Sequence, residues 1–274
     1  MATAFDPHIG HAWIERIHGR DRERVRDDLA VEEPLEIRVD GRALAVTMRT
    51  PGEDEELAAG FLAGEGLISG LGDVATVGLT DDLAANVIEV RTRDGLRRDP
   101  AGERSFYLTS SCGVCGKGAL EFVRREVPAA AAGAPRVPIE PEAVLAAPDR
   151  ARSEQTAFRQ TGGLHATGLF AADGELLVLR EDVGRHNAMD KALGSRLLGG
   201  GYPLVGESVY ACLSGRASFE LLQKASVAGL AGVVAVGAPS TLAVDLAREE
   251  GLLLCGFVRG ESFNVYAGSD RLAG

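Results

Sequence analysis

The sequence is poor in the features that mark whole classes of protein. Four cysteines in 274 residues are too few for a disulfide framework, and they read as free cytosolic thiols. No apolar run of roughly eighteen residues occurs, so no membrane-spanning helix is expected. Residues 1–6 have neither a basic n-region nor an apolar h-region, which argues against a secretory signal and for the cytoplasm. A basic stripe is also missing. The formal net charge of −11 excludes tracking along a nucleic-acid backbone, though not a single nucleotide held by a local arginine and backbone N–H groups. Aromatic residues make up only 5% of the chain while glycine contributes 35 residues, so turns and close backbone approaches are expected. No internal repeat is visible.

A chain of 274 residues is long enough to bury a core in one large domain or two modest ones. Residues 1–30 are crowded with charge and read as a charged N-terminal arm lying on the surface or moving freely. Residues 31–127 read as an α+β subdomain. Its alternating run through residues 35–42 meets Asp40-Gly41 and resumes at 43–48, a hairpin signature. A helix is predicted over 53–63, with acidic residues in its first turn, and a strand over 87–91. Residues 128–150 hold five of the eleven prolines and an alanine run, which predicts a linker. Beyond it, strands over 176–180, 208–213, 233–236 and 252–257 alternate with helices over 187–198, 219–229 and 242–250. This predicts an α/β layered domain over 151–274 with a parallel or mixed sheet.

Cys112 and Cys115 stand two residues apart in Ser-Ser-Cys-Gly-Val-Cys-Gly-Lys, residues 110–117, between a predicted strand and a predicted helix. Helix N–H groups stabilise negative charge and lower a thiol pKa, and thiolate is the nucleophile. Zinc fits poorly. It wants a second close pair of ligands, whereas Cys212 and Cys255 are isolated in apolar runs, where cysteine acts as a small hydrophobe. A zinc deaminase site wants His-x-Glu, which is absent, and proline before the pair, where Ser111 stands. A dithiol redox site and persulfide carriage both remain open, beside simple packing of two cysteines in a turn. No tightly bound structural metal is expected.

Further motifs fall at strand ends. Asp182-Val183-Gly184-Arg185-His186 precedes a helix and offers N–H groups, a guanidinium and an imidazole to an anion. Alternatively it is a capped helix whose Asp190 and Lys191 lie on a solvated, salt-bridged face. Ser214-Gly215-Arg216 and Gly237-Ala238-Pro239-Ser240 occupy equivalent places. In α/β sheets ligands gather at the carboxyl ends of strands, so Arg185, Arg216 and Ser240 together predict one phosphate-bearing pocket. Thr161-Gly162-Gly163-Leu164-His165 adds a flexible polar segment. In Phe257-Val258-Arg259-Gly260, the aromatic could stack on a base and the arginine reach a phosphate.

Taken together these segments resemble the formate dehydrogenase accessory sulfurtransferase family, FdhD. The resemblance rests on Ser-Ser-Cys-Gly-Val-Cys-Gly, Thr-Gly-Gly-Leu-His, Glu-Asp-Val-Gly-Arg-His-Asn-Ala-Met-Asp-Lys, Ser-Gly-Arg-Ala-Ser-Phe-Glu, Ala-Pro-Ser-Thr-Leu-Ala and Gly-Phe-Val-Arg, in order over about residues 30–268. It implies a cytidine deaminase-like α/β fold without zinc, a cytoplasmic homodimer, and a sulfurtransferase that acts through a cysteine persulfide. It implies that Cys112 accepts sulfur from a cysteine desulfurase, with Cys115 as motif partner. The implied acceptor is the molybdenum cofactor, a bis(molybdopterin guanine dinucleotide), destined for the formate dehydrogenase apoenzyme. The family's cofactor segment falls on Phe257, Val258, Arg259, Gly260, Glu261 and Ser262. Arg185, His186, Ser214, Gly215 and Arg216 are the expected phosphate-side contacts. A cofactor-binding chaperone without transfer activity and a dithiol oxidoreductase are the competing functions. No membrane or nucleic-acid partner is expected.

Overall fold

The computed structural model describes residues 6–80, 86–98 and 137–274. Cys112 and Cys115, the strand and helix expected around them, and residues 128–136 of the expected linker lie outside the described residues. The first regular unit is a two-stranded antiparallel hairpin, β1 (Ile9–His18) with β2 (Asp21–Ala30). The charged arm expected over residues 1–30 is therefore an ordered ladder from Ile9 onward. Its polar side chains pair across the strands, as in the ion pair of Arg22 with Glu15 at 3.5 Å and the hydrogen bond of His11 with Asp28 at 2.7 Å. Apolar pairs stand among them, with Ile14 opposite Val25 and Ile9 opposite Ala30, all half-buried.

The next unit is a four-stranded sheet in the order β4 (Arg42–Arg49), β3 (Glu33–Val39), β6 (Val87–Thr92), β5 (Val74–Leu79). Asp40 and Gly41 join β3 to β4 with φ of 48° and 79°, the left-handed pair that matches hairpin twist. Leu35, Ile37, Ile88 and Val90 point to one face. There they meet Leu57, Ala58 and Leu62 of helix α1 (Asp54–Gly64). Asp54, Glu55 and Glu56 in the first turn suit the positive end of that helix.

A six-stranded mixed sheet follows, in the order β12 (Ser262–Ala267), β11 (Leu253–Arg259), β10 (Gly232–Ala235), β9 (Tyr210–Leu213), β7 (His165–Phe170), β8 (Leu176–Asp182). The three strands β9, β10 and β11 are parallel and the flanking pairs antiparallel. Both faces are covered, which is why these strands read as unbroken apolar runs. Tyr210, Cys212, Val234 and Cys255 face helix α2 (Pro141–Glu154). Ala211, Leu213, Val233 and Leu254 face helices α4 (Arg185–Leu198), α5 (Phe219–Val227) and α6 (Thr241–Glu249). A short helix α3 (Thr156–Thr161) follows α2. Residues 141–150, assigned above to the linker, are thus helical. Pro141 sits in the first turn, where no N–H is needed, and Val144 and Ala147 bury against the sheet. No helix among the described residues is long and apolar enough to cross a membrane.

Helix α1 lies between the two sheets and crosses α4 at very short range. A Cβ on Gly60 would stand 1.8 Å from the Asp190 carbonyl oxygen, and one on Gly194 would stand 1.8 Å from that of Glu56. Only glycine permits backbones to approach so closely. The crossing brings β4 against the N-terminal turn of α4, with Thr47 on Asn187, and the start of α1 against its middle, with Glu56 at Gly194.

Candidate functional site

Strand polarity gathers the candidate residues at one edge of the six-stranded sheet. β9, β10 and β11 run parallel and end there. β7 begins and β8 ends at the same edge, with His165 opposite Asp182 and Thr167 opposite Leu213. The loops beyond the strands are laced by backbone hydrogen bonds. Gly237 N–H donates to the Gly215 carbonyl at 2.9 Å, Ser240 N–H to Ala217 at 3.0 Å, and Phe257 N–H to Gly237 at 3.1 Å. Ser214 is tied to β7 twice, donating its N–H to the Ala166 carbonyl at 3.0 Å and accepting the Ala166 N–H on its hydroxyl at 2.9 Å.

Arg185 and His186 open α4 at this edge, just beyond the cap residue Gly184. His186 Nε2 lies 3.5 Å from the Ser218 hydroxyl and 3.9 Å from Glu220 Oε2. Burial, then the charges of Arg185 and Lys224, push its pKa down to about 4. The ring is therefore neutral at neutral pH and carries one donor and one acceptor nitrogen. Burial and then Arg185 also lower His165, so one guanidinium influences both imidazoles. Gly215 sits beside His165, since a Cβ there would lie 3.4 Å from Nδ1. Arg216 is exposed. The edge thus combines helix N-terminal N–H groups, two arginines, two imidazoles held toward the neutral form, and hydroxyls. That chemistry suits a phosphorylated ligand.

Phe257 is 38% exposed at a positive φ of 55°, joined by its backbone to Gly237. Val258 is fully buried and packs in the cluster beneath α2, so its side chain cannot line the edge. A register shift between Gly256 and Arg259 accounts for this reversal of side-chain direction. Arg259, Gly260, Glu261 and Ser262 form the exposed turn between β11 and β12.

Beneath the edge lies a buried polar layer. Asp182 accepts hydrogen bonds from Thr50 N–H (3.1 Å), Gly184 N–H (2.8 Å) and Asn187 Nδ2 (3.0 Å), and pairs with Lys191 at 3.0 Å. Burial raises this carboxyl, with Lys191 and the N–H donors opposing. One turn further along α4, Asp190 pairs with Lys224 at 2.8 Å, and Lys224 also reaches Glu65 at 3.1 Å. Burial pushes Asp190 up to about 6. It also works against the charge on Lys224, but Asp190 and Glu65 outweigh it and the lysine pKa rises. The solvated face read for Asp190 and Lys191 is therefore wrong. They are 2% and 0% exposed, because α1 and α5 cover that face of α4. Thr50, Asn187 and Lys224 were missed. The one local signal was Lys224 itself, a lysine within the apolar run of α5. Among the described residues no group of three or more His, Cys, Asp or Glu is placed to hold a metal ion.

Comparison with known proteins adds a second line of evidence. Residues 30–273 match the sequence profile of the FdhD/NarQ family. A sulfur carrier protein FdhD from Streptomyces coelicolor is 52% identical over 254 residues, covering 90% of this chain and 89% of the relative. Its namesake from Anaeromyxobacter sp. strain K is 46% identical over 276 residues, covering 95% and 94%. That from Mycobacterium tuberculosis is 47% identical over 256 residues, covering 90% and 92%. A crystal structure of a proposed formate dehydrogenase accessory protein from Desulfotalea psychrophila shares the fold, with a TM-score of 0.79 over 97% of this chain and 100% of the other at 24% identity.

Proposed function

Since the chain belongs to the FdhD/NarQ family, we propose that it is a sulfur carrier serving formate dehydrogenase maturation, with Cys112 as the sulfur-bearing residue. The observation that carries this reading is the Cys-Gly-Val-Cys segment within a chain similar along nearly its whole length to proteins named sulfur carrier protein FdhD. In the loading step the Cys112 thiolate attacks the terminal sulfur of a persulfide on a cysteine desulfurase. The donor's sulfur–sulfur bond breaks, its cysteine leaves as thiolate, and a persulfide forms on Cys112. The exchange needs no external oxidant. Cys115, two residues on, assists release or limits over-oxidation.

The acceptor in this reading is the molybdenum cofactor, bound as substrate through its guanine dinucleotide. Arg185 and Arg216 take phosphate charge, and the α4 N-terminus adds its N–H groups. Neutral His186 with Ser218, and the backbone around Ser214 and Gly215, supply directional hydrogen bonds. Phe257 offers a ring to a purine and Arg259 a further cation from the β11–β12 turn. The layered arrangement of a mixed sheet between helices is compatible with a cytidine deaminase-like ancestry, and a cytoplasmic homodimer is the proposed working form.

The test is Cys112→Ala in cells that depend on this protein for formate dehydrogenase. Loss of dehydrogenase activity is expected. Activity at the wild-type level would leave only the chaperone reading, and a reversible Cys112–Cys115 disulfide with reductase activity would favour the dithiol one.

A further inference from the structure

Thr50, at the corner between β4 and α1, is completely buried; two of its three polar groups are spent on one turn and the third on the helix that follows it. Its N–H donates to Asp182 Oδ2 at 3.1 Å. Its hydroxyl accepts the Val183 N–H at 3.1 Å. Its carbonyl accepts Lys191 Nζ at 2.9 Å. Two neighbours on β4 act alongside it. Thr47 donates its hydroxyl to Asn187 Oδ1 at 3.0 Å, and Asn187 Nδ2 donates to the Met48 carbonyl at 2.7 Å. The target is the turn of residues 182–187, which carries Arg185 and His186. Gly184 offers no side-chain cap; within the turn Asp182 accepts the Gly184 N–H and Asn187 Nδ2. A second set of ties comes from more than 130 residues away in sequence.

We propose that Thr50 is a positioning residue for the strand-end site: the β4 corner, through the Thr50 hydroxyl and the Asp182 carboxylate, sets the direction in which Arg185 and His186 face the ligand. The proposal rests on the reading of that edge as the place where the guanine dinucleotide binds. The hydrogen bonds of Thr50 go to Asp182, Val183 and Lys191 rather than to Arg185 or His186. It acts only through the turn, and a displacement of about 1 Å there is enough to degrade a preorganised site.

Two substitutions test it. Thr50→Val keeps the shape and removes only the acceptor of the Val183 N–H, and Thr50→Ser restores that acceptor. Three readouts are taken on the full-length protein: the His186 ring resonances by NMR, assigned with His186→Gln; GDP affinity by calorimetry; and sulfur loading of Cys112 by intact mass. Thr50→Val is expected to shift the His186 resonances and weaken GDP binding about fivefold, the scale of one lost hydrogen bond. Thr50→Ser is expected to return both, and Cys112 loading is expected to stay unchanged in each variant. Wild-type His186 resonances in Thr50→Val overturn the proposal, and so does a Ser variant as impaired as the Val one, because packing rather than the hydroxyl would then decide. If the wild-type protein takes up no GDP, the ligand reading of the edge fails. The His186 resonances then decide the positioning role alone, by whether Val shifts them and Ser restores them.

Discussion

Gly194→Ala probes the contact on which the arrangement of layers depends. A Cβ at this position would stand 1.8 Å from the Glu56 carbonyl oxygen, whereas ordinary contact begins at 3.4 Å. The obstructing atom is backbone, so no rotamer change relieves the clash, and α1 and α4 must part by roughly 1.6 Å. The ties around the crossing are then strained: Lys191 of α4 to Glu53 at 3.6 Å, Arg180 of β8 to Glu56 at 2.8 Å and Lys224 of α5 to Glu65 at 3.1 Å. Helix propensity pulls the other way, favouring alanine by about 1 kcal/mol. Overpacking against backbone together with weakened buried ion pairs costs more, so a net loss of about 3 kcal/mol is expected. For a chain of this size that corresponds to about 8 °C in Tm. Urea and thermal unfolding followed by circular dichroism measure it. Gly72→Ala, where a Cβ meets nothing within 4 Å, is the control and is expected to be near neutral. A Gly194→Ala protein as stable as wild type, or more stable, would refute the close crossing.

Three further outcomes follow from the site and its buried layer. His186 is held to a pKa of about 4, below the 6.5 of a free imidazole, so its contribution to stability is present above pH 6.5 and is lost as pH falls toward 4. Asp190, raised to about 6 from 3.8, acts in the opposite sense, its contribution being lost as pH rises through that window. His186→Gln therefore gains stability relative to wild type by about 2 kcal/mol between about pH 7 and pH 5; parallel pH profiles of urea unfolding for the two proteins would contradict the buried neutral imidazole. Lys224→Met strands Asp190 and Glu65 without their cation and is expected to cost about 3 kcal/mol. Adding Asp190→Asn should recover part of that loss, and a double variant no better than the single would mean that the two are not coupled. Arg259→Ala is expected to weaken GDP binding in calorimetry, and an unchanged affinity removes the β11–β12 turn from the binding surface.

Local chemistry made much of this fold legible. Asp40-Gly41 specifies its turn by backbone conformation alone, and the strand–helix alternation after residue 176 has the apolar period of a doubly covered sheet. Strand-end positions also group Arg185, Arg216 and Ser240 from sequence alone, because polarity in an α/β sheet brings such loops to one edge. What escaped reading depends on distant partners. The β1–β2 hairpin mixes cross-strand charge pairs with apolar pairs such as Ile14 opposite Val25, so no clean alternation marks it. β7, His-Ala-Thr-Gly-Leu-Phe, lacks a period because both its faces are buried. Val258 was assigned to the ligand side because a bulge that reverses a strand face leaves no mark on a short apolar stretch. Lys191 and Asp190 read as solvent-facing because nothing local reports that α1 will cross at glycine distance. The role of Thr50 is of the same kind, since its partners lie more than 130 positions away.

The sulfur-carrier role requires sulfur to reach Cys112. The most direct measurement is the intact mass of the full-length protein after incubation with a cysteine desulfurase and cysteine, followed by peptide mapping and by treatment with a reductant. A single-sulfur adduct on Cys112 that reductant removes, absent in Cys112→Ala and retained in Cys115→Ala, is the predicted result. A wild-type protein that emerges from a competent donor reaction with no added sulfur, or with sulfur only on another cysteine, would contradict it.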